Sequence, residues 1–165
     1  MRQLAPADFD PRVVAEYGIT AETLDRVVRY LRLLQGPDAP ALADIAIGGY
    51  YGTAALLHEV IELNILLKRE PGLLEMDEES ALNFWHANTD AHITALVAEY
   101  TYLQRRIRQV LGEKVSVGAL LWVNADEHDF AMLATSDWPG PLRIPDAAEV
   151  DRARRLLGCL KERTL

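Results

Sequence analysis

Residues 41–70 read ALADIAIGGYYGTAALLHEVIELNILLKRE, and the fold turns on this stretch. Taken as a helix, it carries Leu56, Val60, Leu63 and Leu67 on one side and Ile47, Tyr51, Ala55 and Ile65 on the other. A helix that is apolar on most sides belongs in the middle of a bundle. Gly48-Gly49 is expected to bend or break it, because each glycine costs helix stability, and Pro71 ends it. Asp44, His58, Glu59, Glu62 and Asn64 interrupt the apolar pattern, so the segment does not read as a lipid-facing span of about 20 apolar residues.

The flanking sequence is helical as well. Thr20 is placed to cap a helix over Ala21–Gln35, whose stripe is Leu24, Val27, Val28, Leu31 and Leu34, and Gly36-Pro37 stops it. A third unit starts at Asp77, with Glu78 and Glu79 at the positive end of the dipole, and is expected to run to Leu111 before Gly112. Arg105, Arg106 and Arg108 lie in its last turns, where the dipole favours cations. Ser116 could cap a short helix through Ala119 to Val123, although Val115 to Val123 is also the best strand candidate in the chain. Asp146 caps a last helix, Ala147 to Lys161, with Val150, Ala153, Leu156, Leu157 and Leu160 as its apolar face. The stretch from Asp126 to Arg143, punctuated by Pro139-Gly140-Pro141, reads as loop with one further helical turn. The expected fold is a single all-α domain over residues 1–165: four or five helices, with the two long ones as a central antiparallel hairpin.

Composition narrows the function. The chain has 165 residues, half of them apolar and a quarter charged, which suits one globular domain and excludes disorder. A net charge of −8 argues against nucleic acid or an anionic membrane as partner. Cys159 is the only cysteine, so no internal disulfide forms and a reducing compartment fits. Met1 to Asp10 carries Arg2, Asp8 and Asp10 and no long apolar run, which does not read as a secretory leader; the cytoplasm is the expected location.

Chemistry-bearing residues occupy core positions of the two long helices. At about 100° per residue, His92 and Glu99 share a stripe with Trp85, Leu96, Leu103 and Val110. His86 and Asp90 point elsewhere. On the second helix His58 and Glu62 face one way, together with Tyr51, whereas Glu59 points about 100° off. Pairing the helices about a turn near Leu73 and Leu74 puts His58 level with Asp90 and within a turn of His92. Glu62 then lies near His86 in height, within reach of His92, and Tyr51 lies close to Glu99. His58, Glu62, His92 and Glu99 thus line one seam.

A carboxylate there needs a partner: an imidazolium, an arginine such as Arg69 or Arg106, or a metal ion. Two histidines and one or two glutamates on facing helices are a usual ligand supply for zinc, manganese or iron. In the metal reading His58, Glu62 and His92 are ligands. Glu99 is a fourth ligand or the general base, Glu59 is a second catalytic carboxylate, and Tyr51 supports the site from outside. The ion would generate a hydroxide for hydrolysis of a small-molecule substrate. The same groups could instead form a structural His–Glu network in a non-catalytic protein. That protein would dimerise or bind a partner through its apolar second helix and Trp85, Trp122 and Trp138.

Two known motifs come close. His58-Glu59-Val60-Ile61-Glu62 resembles the zinc-protease HExxH motif, with Glu62 where the second histidine would stand. Glu59-x-x-Glu62 in an all-α chain resembles the first carboxylate pair of the all-α nucleotide pyrophosphohydrolases, the MazG-like family. That resemblance implies magnesium held by paired acidic motifs, yet Glu99 is followed three residues later by Tyr102 where an aspartate would complete the second pair. Asp126-Glu127-His128-Asp129 reads as a solvated loop, and Cys159 as a small core or interface residue.

Overall fold

In a computed structural model, which describes residues 2–124 and 144–165, the chain is all-helical. The α-helices are α1 (Pro11–Tyr17), α2 (Ala21–Gln35), α3 (Pro40–Ala46), α4 (Gly49–Arg69), α5 (Glu78–Ala87), α6 (Thr89–Arg106), α7 (Val117–Asn124) and α8 (Ala147–Lys161). A π-helical turn, Ile107–Leu111, continues α6 to Gly112, which takes a left-handed φ of 69°. Among the described residues there is no β-strand, only an isolated bridge between Phe9 and Gly49. Asp126 to Asp129, Trp138 and Pro139-Gly140-Pro141 lie outside the described residues.

Local signals set most helix ends. Thr20 accepts the Thr23 backbone N–H and Asp146 accepts that of Glu149, so α2 and α8 begin where the caps put them. Ser116 Oγ takes the Ala119 N–H, and the segment weighed as a strand is the helix α7. Gly48-Gly49 breaks the second unit outright, with φ of 67° and 61°. A Cβ on Gly48 would stand 2.9 Å from the Asp8 carbonyl oxygen, so the N-terminal segment crosses there only because the side chain is absent.

Several expectations change. The third unit is not one helix: Asn88 adopts φ −129°, ψ 38° and separates α5 from α6. With that break, the glycine break and the short α1, the described residues hold eight α-helices rather than four or five. Ile47, expected on an inward face, is 48% exposed because it lies at the glycine break and not inside a helix.

α4 carries the core. Leu56, Leu57, Val60, Leu63 and Leu66 are buried on it, and its most extensive packing is against α6. Polar contacts join the two along their length: His58 to Glu99, Glu62 to His92, and Arg69 to Asp90 in a two-pronged ion pair at 2.8 and 2.7 Å. The register is displaced about two turns from the expected one, which set Glu62 beside His86. The physical reason is α5: it takes up chain between the long helices, so facing levels centre on residues 79 and 80, halfway between Arg69 and Asp90, and not on Leu73 and Leu74.

At the other end, buried Asp10 ties three helices together. It caps α1 through the Arg12 N–H, accepts the Tyr102 hydroxyl at 2.8 Å, and its backbone N–H donates to Thr53 of α4. Arg106 stands 3.9 Å from the same carboxylate. Among the described residues no helix is long and apolar enough to cross a membrane.

Candidate metal centre

Three side-chain atoms converge between α4 and α6. His58 Nε2 lies 3.2 Å from Glu62 Oε2 and 3.1 Å from His92 Nδ1, and the last two atoms are 2.6 Å apart. Among the described residues, these three side chains are the one group of His, Cys, Asp or Glu whose donors meet closely enough to hold an ion. The i, i+4 spacing on α4 supplies His58 and Glu62, and the inward stripe of α6 supplies His92.

The far sides of these groups are anchored. His58 Nδ1 pairs with Glu99 Oε2 at 2.7 Å, which fixes the ring so that Nε2 faces Glu62 and His92. Glu62 Oε1 accepts the Tyr30 hydroxyl and the Trp85 Nε1–H, the latter at 2.8 Å, leaving Oε2 for the histidines. The His92 ring lies edge-on to those of His58 and Trp85, with centroids 4.8 and 5.4 Å away. Neither Arg69 nor Arg106 reaches Glu62: Arg69 holds Asn88 and Asp90, and Arg106 lies by Asp10.

The protons of this arrangement can be placed in more than one way. A neutral imidazole has one N–H. If His58 gives it to Glu99, its Nε2 turns a lone pair toward a carboxylate oxygen and a second imidazole. Three solutions exist: an N–H on His92 Nδ1 facing both acceptors, a second proton on His58, or a metal ion. The metal-free electrostatics follow the second. Burial opposes a charge on His58, but Glu62 and Glu99 at its two nitrogens, with Glu59 beside it, outweigh burial and lift its pKa well above the ordinary imidazole value. Burial likewise opposes ionisation of Glu62, yet hydrogen bonds from His58 and His92 hold its carboxyl well below the usual range. The donor geometry also suits an ion. Ligands about 2.1 Å from a metal stand about 3.0 Å apart at right angles and about 3.4 Å apart in a tetrahedron. The three separations here, 2.6–3.2 Å, need only a slight opening to adopt the former.

The other expected site residues surround this triangle. Glu99 lies on the side of the His58 ring away from it. Tyr51 is buried and lines a cavity of about 230 Å³ with His58, Glu59, His92 and Glu99; its hydroxyl receives the Asn124 amide at 3.3 Å. Burial pushes that hydroxyl up to about 12, aided by Asp44 and Glu99. Glu59 is buried at the edge of this cavity and of a second one, about 180 Å³, on the Tyr30 and Trp85 side. Burial is the main reason its pKa rises to about 8, with Glu62 and Glu99 adding to the rise and His58 opposing it. His86 and Asp90 are exposed, as their off-stripe positions imply.

Tyr30 was missed by sequence reasoning. It occupies the inward stripe of α2, three residues after Val27, and is fully buried. Its one usable signal was a hydroxyl on a core face, which must find an acceptor. Trp85, considered as part of an interface, is turned inward onto Glu62 instead, while Trp122 is 38% exposed. No protein-family model, curated protein or solved structure matches this chain.

Proposed function

We propose that this protein binds one divalent metal ion through His58 Nε2, Glu62 Oε2 and His92 Nδ1, and uses it as a metal-dependent hydrolase. The observation that carries the reading is the convergence of these three atoms while their outer atoms are fixed by Glu99, Tyr30 and Trp85. Outer hydrogen bonds of this kind orient metal ligands and set their basicity. Imidazole donors favour zinc, manganese or iron over magnesium. This weighs against the magnesium chemistry that the Glu59-x-x-Glu62 resemblance implies.

In this reading α4 and α6 are the central antiparallel pair of a helical bundle, and the site sits in the seam between them. Three protein ligands leave positions for water and substrate. An ion held there by His58, Glu62 and His92 would lower the pKa of its water toward neutrality and supply a hydroxide nucleophile. Glu99 is then a positioning residue that holds His58, rather than a fourth ligand or the base. The flanking cavities, about 230 and 180 Å³, suit a small substrate.

The test is reconstitution. Protein stripped with a chelator is loaded with zinc, manganese or iron(II), its metal content is measured, and hydrolysis of p-nitrophenyl acetate is followed. The proposal expects one equivalent of metal per chain, with hydrolysis restored on loading and absent in His92→Ala. Metal binding without hydrolysis of this or other activated esters removes the hydrolase reading and keeps the metal site. No metal binding leaves the structural His–Glu network.

A further inference from the structure

A groove of about 750 Å³ lies between α1, α4 and α6, and no residue of the triad lines it. Its wall on α4 is Leu57 and Ile61, each one residue before a proposed ligand and so turned about 100° away from it. Ile93, Val97 and Ala98 of α6 and Val13 of α1 continue the apolar wall. From Ile93 to Thr101 the groove follows α6 for about 12 Å.

The polar lining includes three arginines, Arg12, Arg105 and Arg106, in a chain whose net charge is −8. The protein's own acceptors do not use them. The Arg106 side chain is only 17% exposed, yet among the described residues its guanidinium makes no hydrogen bond. Its Nη1 is 3.9 Å from Asp10, beyond hydrogen-bond length, and its buried Nε meets no acceptor. A guanidinium carries five N–H donors, and burying most of it with none of them bonded is costly. Arg105 has no partner among the described residues, and Arg12 gives Nη1 to the amide oxygen of Gln109, a neutral acceptor.

The charges limit what fits. Asp10 and Glu16 line the same groove, so three guanidiniums against two carboxylates leave one positive charge over. A polyanion would meet both acids, whereas a single carboxylate matches the surplus and the fork of a guanidinium. The neighbouring wall suits an aliphatic chain, and the volume lies in the range of small-molecule sites.

We infer that this groove binds an amphiphilic monocarboxylate, a fatty acid of medium length, with its head group on Arg106 and Arg105 and its chain along Ile93, Val97 and Leu57. This does not rest on the metal reading.

The experiment titrates decanoate, below its micelle concentration, into the protein by calorimetry. Acetate stands for the head group alone, and decyltrimethylammonium for the same tail with the opposite charge. The inference expects decanoate to bind at about one per chain and the other two not to. Arg106→Gln should weaken decanoate binding about tenfold or more, because it removes a charge-assisted hydrogen bond from the interior. Arg105→Gln, at an exposed position, should weaken it about two- to fivefold, and it carries the test if Arg106→Gln loses its helical circular dichroism. Zinc uptake should match wild type in both variants. The inference is overturned if decanoate does not bind, if decyltrimethylammonium binds as tightly, or if the folded arginine variants bind decanoate as wild type does. Tighter binding of decyl phosphate than of decanoate would overturn the carboxylate. Sedimentation tests the other occupant: a wild-type dimer that decanoate leaves intact and Val97→Glu separates would give the groove to a second copy of the chain and overturn the inference.

Discussion

Replacing Tyr30 by phenylalanine removes one oxygen atom from the interior and leaves the ring in place. Tyr30 is fully buried, and its hydroxyl donates to Oε1 of Glu62, which is itself 3% exposed. A hydrogen bond to an ionised group contributes about 1.5–3 kcal/mol net, more than a neutral one, because a deprived buried carboxylate cannot turn to water instead. Glu62 Oε1 would keep the Trp85 donor at 2.8 Å, so the loss should fall within that range and not reach the larger cost of stripping a buried charge. In a chain of this length that is a fall in melting temperature of about 3–12 °C. The assay is urea unfolding of metal-free wild type and Tyr30→Phe, with the slope against denaturant unchanged. Metal affinity, measured by competition with a chromophoric chelator, should fall about 10–100-fold, as for other partners that hold a ligand from outside the coordination sphere. A change in stability under about 0.5 kcal/mol, the range of an ordinary surface substitution, would mean that Tyr30 does not support Glu62.

Other perturbations separate the site from the scaffold. Glu99→Gln weakens the hold on His58 Nδ1 and should lower metal affinity about 10–100-fold while the helix content seen by circular dichroism stays the same. Tyr102→Phe, which breaks the bond to Asp10 at the other end of α4, should cost about 1.5–3 kcal/mol in urea unfolding and leave metal affinity unchanged. Metal binding should weaken as pH falls. The metal-free protein holds a proton on His58 more tightly than a free imidazole does, and an ion must displace it, so chelator competition should show affinity rising with pH through the neutral range.

The parts of the fold that the sequence revealed are those decided within a few residues. Thr20, Gly36, Asp146 and Ser116 mark helix ends by bonds made three or four residues away, and their helices appear where the caps put them. Gly48-Gly49 was legible because positive φ is open to glycine at little cost. The break at Asn88 was not, since the apolar pattern runs through it without glycine or proline. With that break hidden, α5 looked like part of the long helix and the register slipped by about two turns.

The site follows the same division. The facing of His58 with Glu62, and of His92 with Glu99, follows from helical period alone, and the fold brings these four side chains into one hydrogen-bonded set. Which nitrogen of His58 meets Glu99 depends on the approach of two helices, which no period encodes. The Tyr30 bond spans 32 residues of sequence, and α2 shows no sign of its distant acceptor.

The most direct test is the metal content of protein purified without chelator and then equilibrated with zinc, measured by plasma emission spectrometry beside His58→Ala and His92→Ala. The account predicts about one equivalent in wild type and none in either variant, with all three retaining the same helical circular-dichroism spectrum. Metal-free wild type, or variants that hold as much zinc as it does, would contradict it.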